Sequence, residues 1–312
     1  MNKLALIFPG QGAQCVGMGA DFYRAFPIAR ETFEEANDRL GWDLSRLIFE
    51  GPSKELTLTK HSQIAIYVVS IALWRVFKHT FSDLSPWVTT GLSLGEYSAL
   101  TASNRLSFEE GVELVKQRGL AMHEATVRHP GIMSVILGLS VEEVQGVLDP
   151  IEGVWVANLN APGQVVISGA PSVVEKATSL LKTKGAKRAL PLDVSGAFHS
   201  GLMQEAQERL KERIQTVSLN ESAIQIVMNA SGDFTPERDV RQNLIDQLTA
   251  TVYWEKGIRK IDEKGMDFFI EIGPGKTLSG MNRKIGVKAP TFSIQEVKDL
   301  ETLSQGIING VA

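Results

Sequence analysis

The sequence has little cysteine, little net charge and no long hydrophobic run. Cys15 is the only cysteine in 312 residues, which excludes a disulfide framework and a thiolate metal cluster. The formal net charge of -4 gives no basic surface of the kind that nucleic-acid-binding proteins use. No apolar stretch approaches the roughly 20 residues that a membrane-spanning helix needs. We therefore expect a cytoplasmic protein that binds neither nucleic acid nor membrane.

The order of the predicted elements indicates an α/β fold. The apolar run LALIF at 4–8 ends at a Pro-Gly turn and is typical of a strand that is buried on both faces. Helical patterns follow at 27–40 and 62–80. A further amphipathic helix opens with Ser107 and Glu110 in capping-box register. The alternation of strands and long helices predicts a parallel sheet that is covered by helices.

The middle of the chain has shorter elements. From about residue 130 to about residue 196 they follow the order strand, helix, strand, strand, helix, strand, which is the order of a ferredoxin-like unit. Longer elements return after this stretch. We therefore predict that 128–198 is an inserted ferredoxin-like subdomain, with a cleft between it and the rest of the chain.

A serine stands between two glycines in the segment GLSLG at 91–95, where an apolar strand meets a helix. Flanking glycines let the backbone turn so tightly that the serine oxygen is exposed above the sheet edge, as in a nucleophile elbow. A plain glycine-lined turn would have the same pattern. The interpretation of Ser93 as a nucleophile therefore depends on finding a base, an oxyanion hole and a substrate anchor elsewhere in the chain.

His199 is the candidate base among the five histidines. Imidazole suits proton removal from a serine at neutral pH, and the segment VSGAFHSGLM surrounds His199 with small residues that leave room for a ligand. A histidine at a helix start is also a common structural feature. For the oxyanion hole, the geometry of an elbow supplies the NH of Leu94, and the FPGQG loop offers Gln11 as the second donor. That loop is equally consistent with a plain strand-to-helix turn.

Six ordered segments resemble the signatures of malonyl-CoA:acyl carrier protein transacylases. They are FPGQGAQ, GLSLGEYSAL, QRGLAM, NAPGQVVISG, GAKRALPLDVSGAFHS and EIGPGKTLSGM, and they extend from residue 8 to residue 281. The resemblance thus covers nearly the whole chain. It implies an α/β-hydrolase-like catalytic subdomain with a parallel sheet, formed by 1–127 and 199–312, and a ferredoxin-like inserted subdomain, formed by 128–198.

The resemblance also implies the roles of single residues. Ser93 matches the nucleophile of the family and His199 its general base. Gln11 and Leu94 match the two main-chain donors of the oxyanion hole. Arg118, in the segment KQRG, matches the arginine that holds the free carboxylate of the malonyl group. A planar guanidinium suits this task because it pairs with a carboxylate through two parallel hydrogen bonds, which lysine cannot form.

The implied activity is a ping-pong transfer of the malonyl group from malonyl-CoA to the pantetheine thiol of acyl carrier protein, through a malonyl-serine ester, for fatty acid biosynthesis. No metal or redox cofactor is expected, and we expect a monomer. The alternatives are a discrete acyltransferase or an acyl hydrolase that acts on polyketide synthase carrier proteins. Arg118 argues against the hydrolase, because an anchor for an acidic acyl group suits a loading enzyme better.

Two positions depart from the family pattern. Leu92 precedes the nucleophile, where the family usually has histidine. The segment TVYW places Tyr253 at the glutamine of the usual Pro-Val-Gln-Trp block. If the resemblance holds at that position and the main-chain carbonyl of Tyr253 supports His199, the replacement is tolerable; if the side chain matters, the rate or the specificity differs.

One basic segment, KTKGAKR, lies at the end of the second predicted helix of the insertion and contains Lys182 and Lys184. Acyl carrier protein is small and acidic, so this segment is a candidate docking surface. A solvated helix end, where cations favour the helix C-terminus, is an equally good interpretation.

Overall fold

The structure is a computed structural model that describes residues 3–308. Its strands are β1 (Leu4–Phe8), β2 (Pro86–Gly91), β3 (Ile132–Leu137), β4 (Val154–Ala161), β5 (Gln164–Gly169), β6 (Arg188–Pro191), β7 (Gln225–Met228), β8 (Asp233–Phe234), β9 (Phe268–Ile272) and β10 (Thr291–Ile294). Its helices are α1 (Ala20–Ala25), α2 (Pro27–Leu40), α3 (Leu44–Glu50), α4 (Ser53–Thr57), α5 (Thr59–Thr80), α6 (Gly95–Ala102), α7 (Phe108–Arg128), α8 (Val141–Leu148), α9 (Pro171–Lys184), α10 (Gln204–Thr216), α11 (Glu237–Asp246), α12 (Trp254–Asp262), α13 (Thr277–Ile285) and α14 (Lys298–Ile308). A 3-10 helix, Gly201–Met203, precedes α10.

The larger sheet has the strand order β10-β9-β1-β2-β7-β8, and its pairs are parallel except for β7 with β8. Every residue of β1 is buried. Leu4, Leu6 and Phe8 pack into a core with α2, α5 and α7, while Ala5 and Ile7 pack into a second core with α12 and α13. Helices therefore cover both faces of a mostly parallel sheet, and the predicted fold class is confirmed.

The carboxyl ends of parallel strands meet at one edge of a sheet, where α/β proteins bind their ligands. β1 ends at Phe8, β2 at Gly91 and β7 at Met228. The FPGQG loop, the GLSLG turn and Asn229 follow directly after these three strands. The topology thus brings segments that are distant in sequence to the same edge.

The smaller sheet is antiparallel, with the order β4-β5-β3-β6. Ile136 of β3 packs with residues of α8 and α9 on one face, whereas Met133 and Val135 point into the core on the other side. We propose 128–198 as the extent of this subdomain, because β3 begins at Ile132 and β6 ends at Pro191.

Two helices differ in detail from the pattern in the sequence. α5 begins at Thr59, three residues earlier than predicted. At the start of α7, Ser107 Oγ accepts a hydrogen bond from Glu110 N at 3.2 Å, but Arg213 engages the Glu110 carboxylate. The predicted capping box is therefore only half formed, because a long-range ion pair replaces its second bond. Within residues 3–308, no helix has both the length and the apolar character needed to cross a membrane.

Candidate active site

Ser93 lies in a sharp turn between β2 and α6. Its φ of 51° is in the left-handed region, which side-chain-bearing residues rarely adopt. A Cβ at Gly91 would lie 2.0 Å from the Gly95 carbonyl carbon, and a Cβ at Gly95 would lie 2.2 Å from the Phe8 oxygen. Only glycine fits at both flanking positions. The GxSxG spacing therefore serves a strained turn that holds the serine above the edge of the sheet.

Ser93 and His199 are in direct contact. Ser93 Oγ lies 2.8 Å from His199 Nε2, and His199 Nδ1 lies 2.8 Å from the main-chain oxygen of Gln247. Since a carbonyl oxygen only accepts hydrogen bonds, Nδ1 carries the ring hydrogen and Nε2 is the free acceptor. Ser93 can therefore donate its hydroxyl hydrogen to Nε2, which is the geometry of a nucleophile with its base.

His199 is only 3% exposed. Burial, and then the nearby positive charge of Arg118, lower the pKa of His199 to about 4. The imidazole is consequently neutral at physiological pH and available to accept a proton. A φ of 55° places its backbone in the left-handed region as well, so both members of the pair have strained backbones.

Arg118 reaches the same point from α7. Its Nη2 lies 2.9 Å from Ser93 Oγ and 2.9 Å from Gln247 Oε1, and its Nη1 lies 2.5 Å from Gln63 Oε1. The side chain is 1% exposed, and its Nε has no hydrogen-bond partner within residues 3–308. Burial lowers its pKa from the usual value, although nearby Tyr97 and Glu96 oppose that shift.

A second buried arginine shows what is unusual about Arg118. Arg105 is 2% exposed and forms a bidentate ion pair with Glu237 at 2.5 and 3.1 Å. Arg118 forms no ion pair with any acidic side chain of the described residues. A buried cation without a counter-ion is costly, and an incoming carboxylate would supply the missing charge.

The oxyanion donors proposed from the sequence are Gln11 and Leu94. Ser93 N is not available for this role, because it donates to Asn229 Oδ1 at 2.6 Å. Asn229 Nδ2 in turn donates to Gly91 O at 2.8 Å, so this asparagine clamps the turn. The NH groups of Gln11 and Leu94 donate to no main-chain acceptor in loops and turns of residues 3–308. Both are thus free to bind an oxyanion.

A row of polar side chains fixes Gln11. Arg118 has only donors, so the oxygen of Gln63 faces it and the amide nitrogen of Gln63 faces Gln11 Oε1 at 3.3 Å. Gln11 Nε2 then donates to Thr59 Oγ1 at 3.2 Å. Because each amide can satisfy its neighbours in only one orientation, the position of Gln11 depends on the same arginine that contacts Ser93.

The main-chain carbonyl of Tyr253 does not support His199, so the first of the two alternatives for this position is wrong. The carbonyl that supports His199 belongs to Gln247, whereas Tyr253 N donates to Asn229 O at 3.0 Å on the other side of that asparagine. The sequence also missed Gln63 and Asn229. Gln63 could have been noticed as a polar residue that directly precedes the apolar run IAIYVV of α5, but Gln247 and Asn229 carry no comparable local signal.

A cavity of about 300 Å³ opens above this group. Ser93, His199 and Leu92 line one side of it, and Met133 and Val135 of the smaller sheet line the other. Leu92, one of the two departures from the family pattern, therefore presents an apolar side chain to the cavity. Within the described part of the chain, no group of three or more histidine, cysteine, aspartate and glutamate residues is placed to hold a metal ion.

The lowered pKa of His199 predicts an unusual pH dependence. Only the neutral imidazole can accept the proton of Ser93, so reactivity falls as His199 is protonated. Because the folded pKa is about 4, the reaction should keep its full rate from pH 8 to below pH 6 and fall to half near pH 4. The measurement is the rate of Ser93 inactivation by phenylmethanesulfonyl fluoride, a reagent without a carboxylate that would itself titrate.

Tryptophan fluorescence would verify that the protein remains folded at each pH. The Arg118→Ala variant provides the control, because removal of the neighbouring cation should raise the midpoint. A wild-type midpoint near 6.5, the ordinary value for histidine, would contradict this prediction.

Comparisons with known proteins agree on one family. The model of the acyl transferase domain family matches residues 5–303. The malonyl CoA-acyl carrier protein transacylase of Bacillus subtilis is 44% identical over 310 residues, which are 98% of this chain and 97% of that protein. The protein of the same name from Escherichia coli K12 is 39% identical over 289 residues, 91% of this chain and 93% of that one.

Solved structures have the same fold. The malonyl CoA-acyl carrier protein transacylase of Clostridium perfringens superimposes with a TM-score of 0.94 at 37% identity, covering 98% of both chains. A malonyl-transacylase in complex with its type II PKS acyl-carrier protein superimposes with a TM-score of 0.93 at 36% identity, covering 97% of this chain and 99% of that one.

Proposed function

The chain belongs to the acyl transferase domain family, and from that premise we propose that it transfers the malonyl group of malonyl-CoA to the pantetheine thiol of acyl carrier protein. The observation that carries this proposal is the position of Arg118. Its buried guanidinium has no carboxylate partner among the described residues and lies 2.9 Å from Ser93 Oγ. An acyl group on Ser93 would thus lie beside a cation, which favours an acyl group with its own carboxylate.

The reaction proceeds in two half-reactions. Ser93 Oγ attacks the thioester carbonyl of malonyl-CoA while His199 Nε2 accepts its proton, and the NH groups of Gln11 and Leu94 hold the oxyanion. The carbon–sulfur bond then breaks, coenzyme A leaves with the proton from His199, and a malonyl ester of Ser93 remains. The carrier-protein thiol next loses its proton to His199 and attacks this ester. Collapse of the second oxyanion returns the proton to Ser93.

We further propose that the protein is a cytoplasmic monomer and that its product supplies fatty acid synthesis. The reaction needs no metal or redox cofactor. A second candidate is the same transfer to a polyketide synthase carrier protein, because a malonyl-transacylase with the same fold and 36% identity forms a complex with a type II PKS acyl-carrier protein. An acyl hydrolase is a weaker candidate, since it has no need for a buried cation beside the nucleophile.

The decisive experiment is an incubation with malonyl-CoA followed by carrier protein. Mass spectrometry should show one malonyl group on the intact protein, and this group should move to the holo form of the carrier protein when it is added. Fatty acid and polyketide carrier proteins would be compared at equal concentrations. Loss of the ester to water at the same rate with or without a carrier protein would instead identify a hydrolase.

The basic segment with Lys182 and Lys184 yields a prediction about docking. Both lysines are exposed in the last turn of α9, on the subdomain that lines one side of the cavity. Charge steering acts mainly on association and is screened over about 8 Å at physiological ionic strength. Reversal of both lysines to glutamate should therefore raise the KM for carrier protein, most strongly at low salt, and leave malonyl loading unchanged.

The matched control reverses Lys78 and Lys211, which are exposed on α5 and α10. Thr59, at the start of α5, contacts Gln11 in the candidate site. Lys78 lies near the other end of this helix, about 28 Å from Thr59 at 1.5 Å per residue, and is therefore far from the site. This control variant should have wild-type kinetics with carrier protein. If both double variants behave alike at low salt, the carrier protein docks elsewhere, and Arg283 with Lys284 is the next pair to reverse.

A further inference from the structure

A buried carboxyl group, that of Glu96, lies beneath the active site. Glu96 is the second residue of α6, three positions after Ser93, and its side chain is 1% exposed. It forms no ion pair within residues 3–308. Burial raises its pKa to about 8, although two hydrogen bonds and the charge of Arg118 oppose the shift. A group that is so costly to bury needs a structural or chemical reason.

The two oxygens of Glu96 accept hydrogen bonds from two distant segments. One accepts from the main-chain N of Asn229, directly after β7, and the other accepts from Nε2 of Gln247, directly after α11. Asn229 holds the nucleophile turn through Ser93 N and Gly91 O. Glu96 therefore forms a direct hydrogen bond with the residue that holds the turn around Ser93 in place.

Gln247 contacts the other functional groups. Its main-chain oxygen accepts from His199 Nδ1, its Oε1 accepts from Arg118 Nη2, and its Nε2 also donates to Ser93 O at 2.9 Å. Through Asn229 and Gln247, Glu96 is thus connected to the nucleophile, to the base and to the candidate anchor for a carboxylate.

The chemistry of this network requires a carboxyl group at position 96. Because Arg118 offers only donors, the amide of Gln247 must turn its oxygen to Arg118 and its NH₂ to Glu96. In either protonation state, each carboxyl oxygen keeps a lone pair for the N–H that it faces. The nitrogen of a glutamine at this position would have none, so one buried N–H would lose its acceptor.

We propose that Glu96 is a positioning residue, which sets the placement of Ser93, His199 and Arg118 relative to one another by joining Asn229 to Gln247. It does not touch substrate. The inference deepens the proposed function, since it concerns the same site. A displacement of about 1 Å between reacting groups costs on the order of 10²-fold in rate, so this single carboxyl group controls a large part of the catalytic rate.

The test compares Glu96→Gln with the wild-type enzyme in two reactions. Single-turnover malonylation of Ser93 should slow by on the order of 10²-fold. The reaction of Ser93 with phenylmethanesulfonyl fluoride should slow by a similar factor, because both reactions need the same contact between nucleophile and base. The Kd for malonyl-CoA is measured with and without Glu96→Gln in the Ser93→Ala background, where no ester can form. The fold-change in this Kd should be smaller than the fold-change in the acylation rate. Glu96→Asp keeps both acceptor oxygens on a shorter side chain, so its reaction rates should lie between those of the wild-type enzyme and those of Glu96→Gln.

Glu271→Gln is the matched control. Glu271 is also fully buried, and its carboxylate accepts from Leu278 N, Ser279 N and two serine hydroxyls, none of which contacts Ser93 or His199. This variant should lower the Tm without a comparable loss in either rate. The inference is overturned if folded Glu96→Gln reacts at the wild-type rate, or if Glu271→Gln slows both reactions equally. The sulfonyl fluoride reaction keeps the test independent of the malonyl substrate, so failure of the proposed function would be seen separately in the wild-type enzyme.

Discussion

Ser93→Ala is expected to abolish formation of the malonyl-enzyme ester and with it transfer to carrier protein. Removal of the nucleophile in a serine enzyme costs about 10⁶-fold in kcat, because the covalent pathway is lost completely. The geometry supports this expectation, since Ser93 is the serine that contacts both His199 Nε2 and Arg118 Nη2. The measurement is peptide mass spectrometry after incubation with malonyl-CoA, which should find the added malonyl group on the peptide that contains Ser93.

Ser98→Ala is the control for this experiment. Ser98 is the fourth residue of α6, five positions after Ser93; it is fully buried, and its Oγ has no hydrogen-bond partner within residues 3–308. Its replacement tests whether any change in α6 disturbs the reaction, and it should leave the label in place. Label on a different residue, or full labelling of Ser93→Ala, would show that Ser93 is not the nucleophile.

Arg118→Ala should lose malonyl transfer far more than acetyl transfer. A charge-assisted pair of this kind is worth about 2 to 5 kcal/mol when its partner is left buried and unpaired. At 1.4 kcal/mol per factor of ten, malonyl transfer should fall by roughly 30- to 4,000-fold. The acetyl group has no free carboxylate that could pair with Arg118, so acetyl transfer should fall much less. The quantity to compare is the ratio of kcat/KM for the two substrates.

Two further variants separate charge from structure. Arg118→Lys keeps the charge without the planar fork, so its selectivity should be intermediate. Arg105→Ala removes the other buried arginine, whose partner is Glu237, and should lower stability without altering the ratio. Equal losses of malonyl and acetyl transfer in Arg118→Ala would mean that the arginine supports the structure of the site and does not select the substrate.

Features that depend on neighbouring residues could be predicted from the sequence. The apolar run at 4–8 became a buried central strand, and the helix predicted over 27–40 has those bounds in the structure. The turn around Ser93 could be predicted because its steric requirement falls on Gly91 and Gly95, two residues away on either side. The small residues around His199 marked it as the candidate base, the resemblance added Arg118, and the structure brings both within hydrogen-bond distance of Ser93.

Features that depend on the packing of distant segments could not be predicted in this way. Gln247 lies 48 residues from His199 and 154 residues from Ser93, and no local pattern indicates that its carbonyl supports the histidine in place of that of Tyr253. The half-formed capping box of α7 has the same origin, because Arg213 of another helix competes for Glu110.

The sequence by itself thus determined the sheet, the sharp turn and the chemical types of the reacting groups, since hydrophobic periodicity and steric limits act over a few residues. Only the tertiary structure decided which hydrogen-bond partners these groups have, how deeply they are buried and therefore how acidic they are. The pKa of His199 near 4 follows from burial and from the charge of Arg118, which lies on a helix that is remote in sequence. Electrostatic and hydrogen-bonding environments form only when the parallel strands bring their carboxyl ends to one edge.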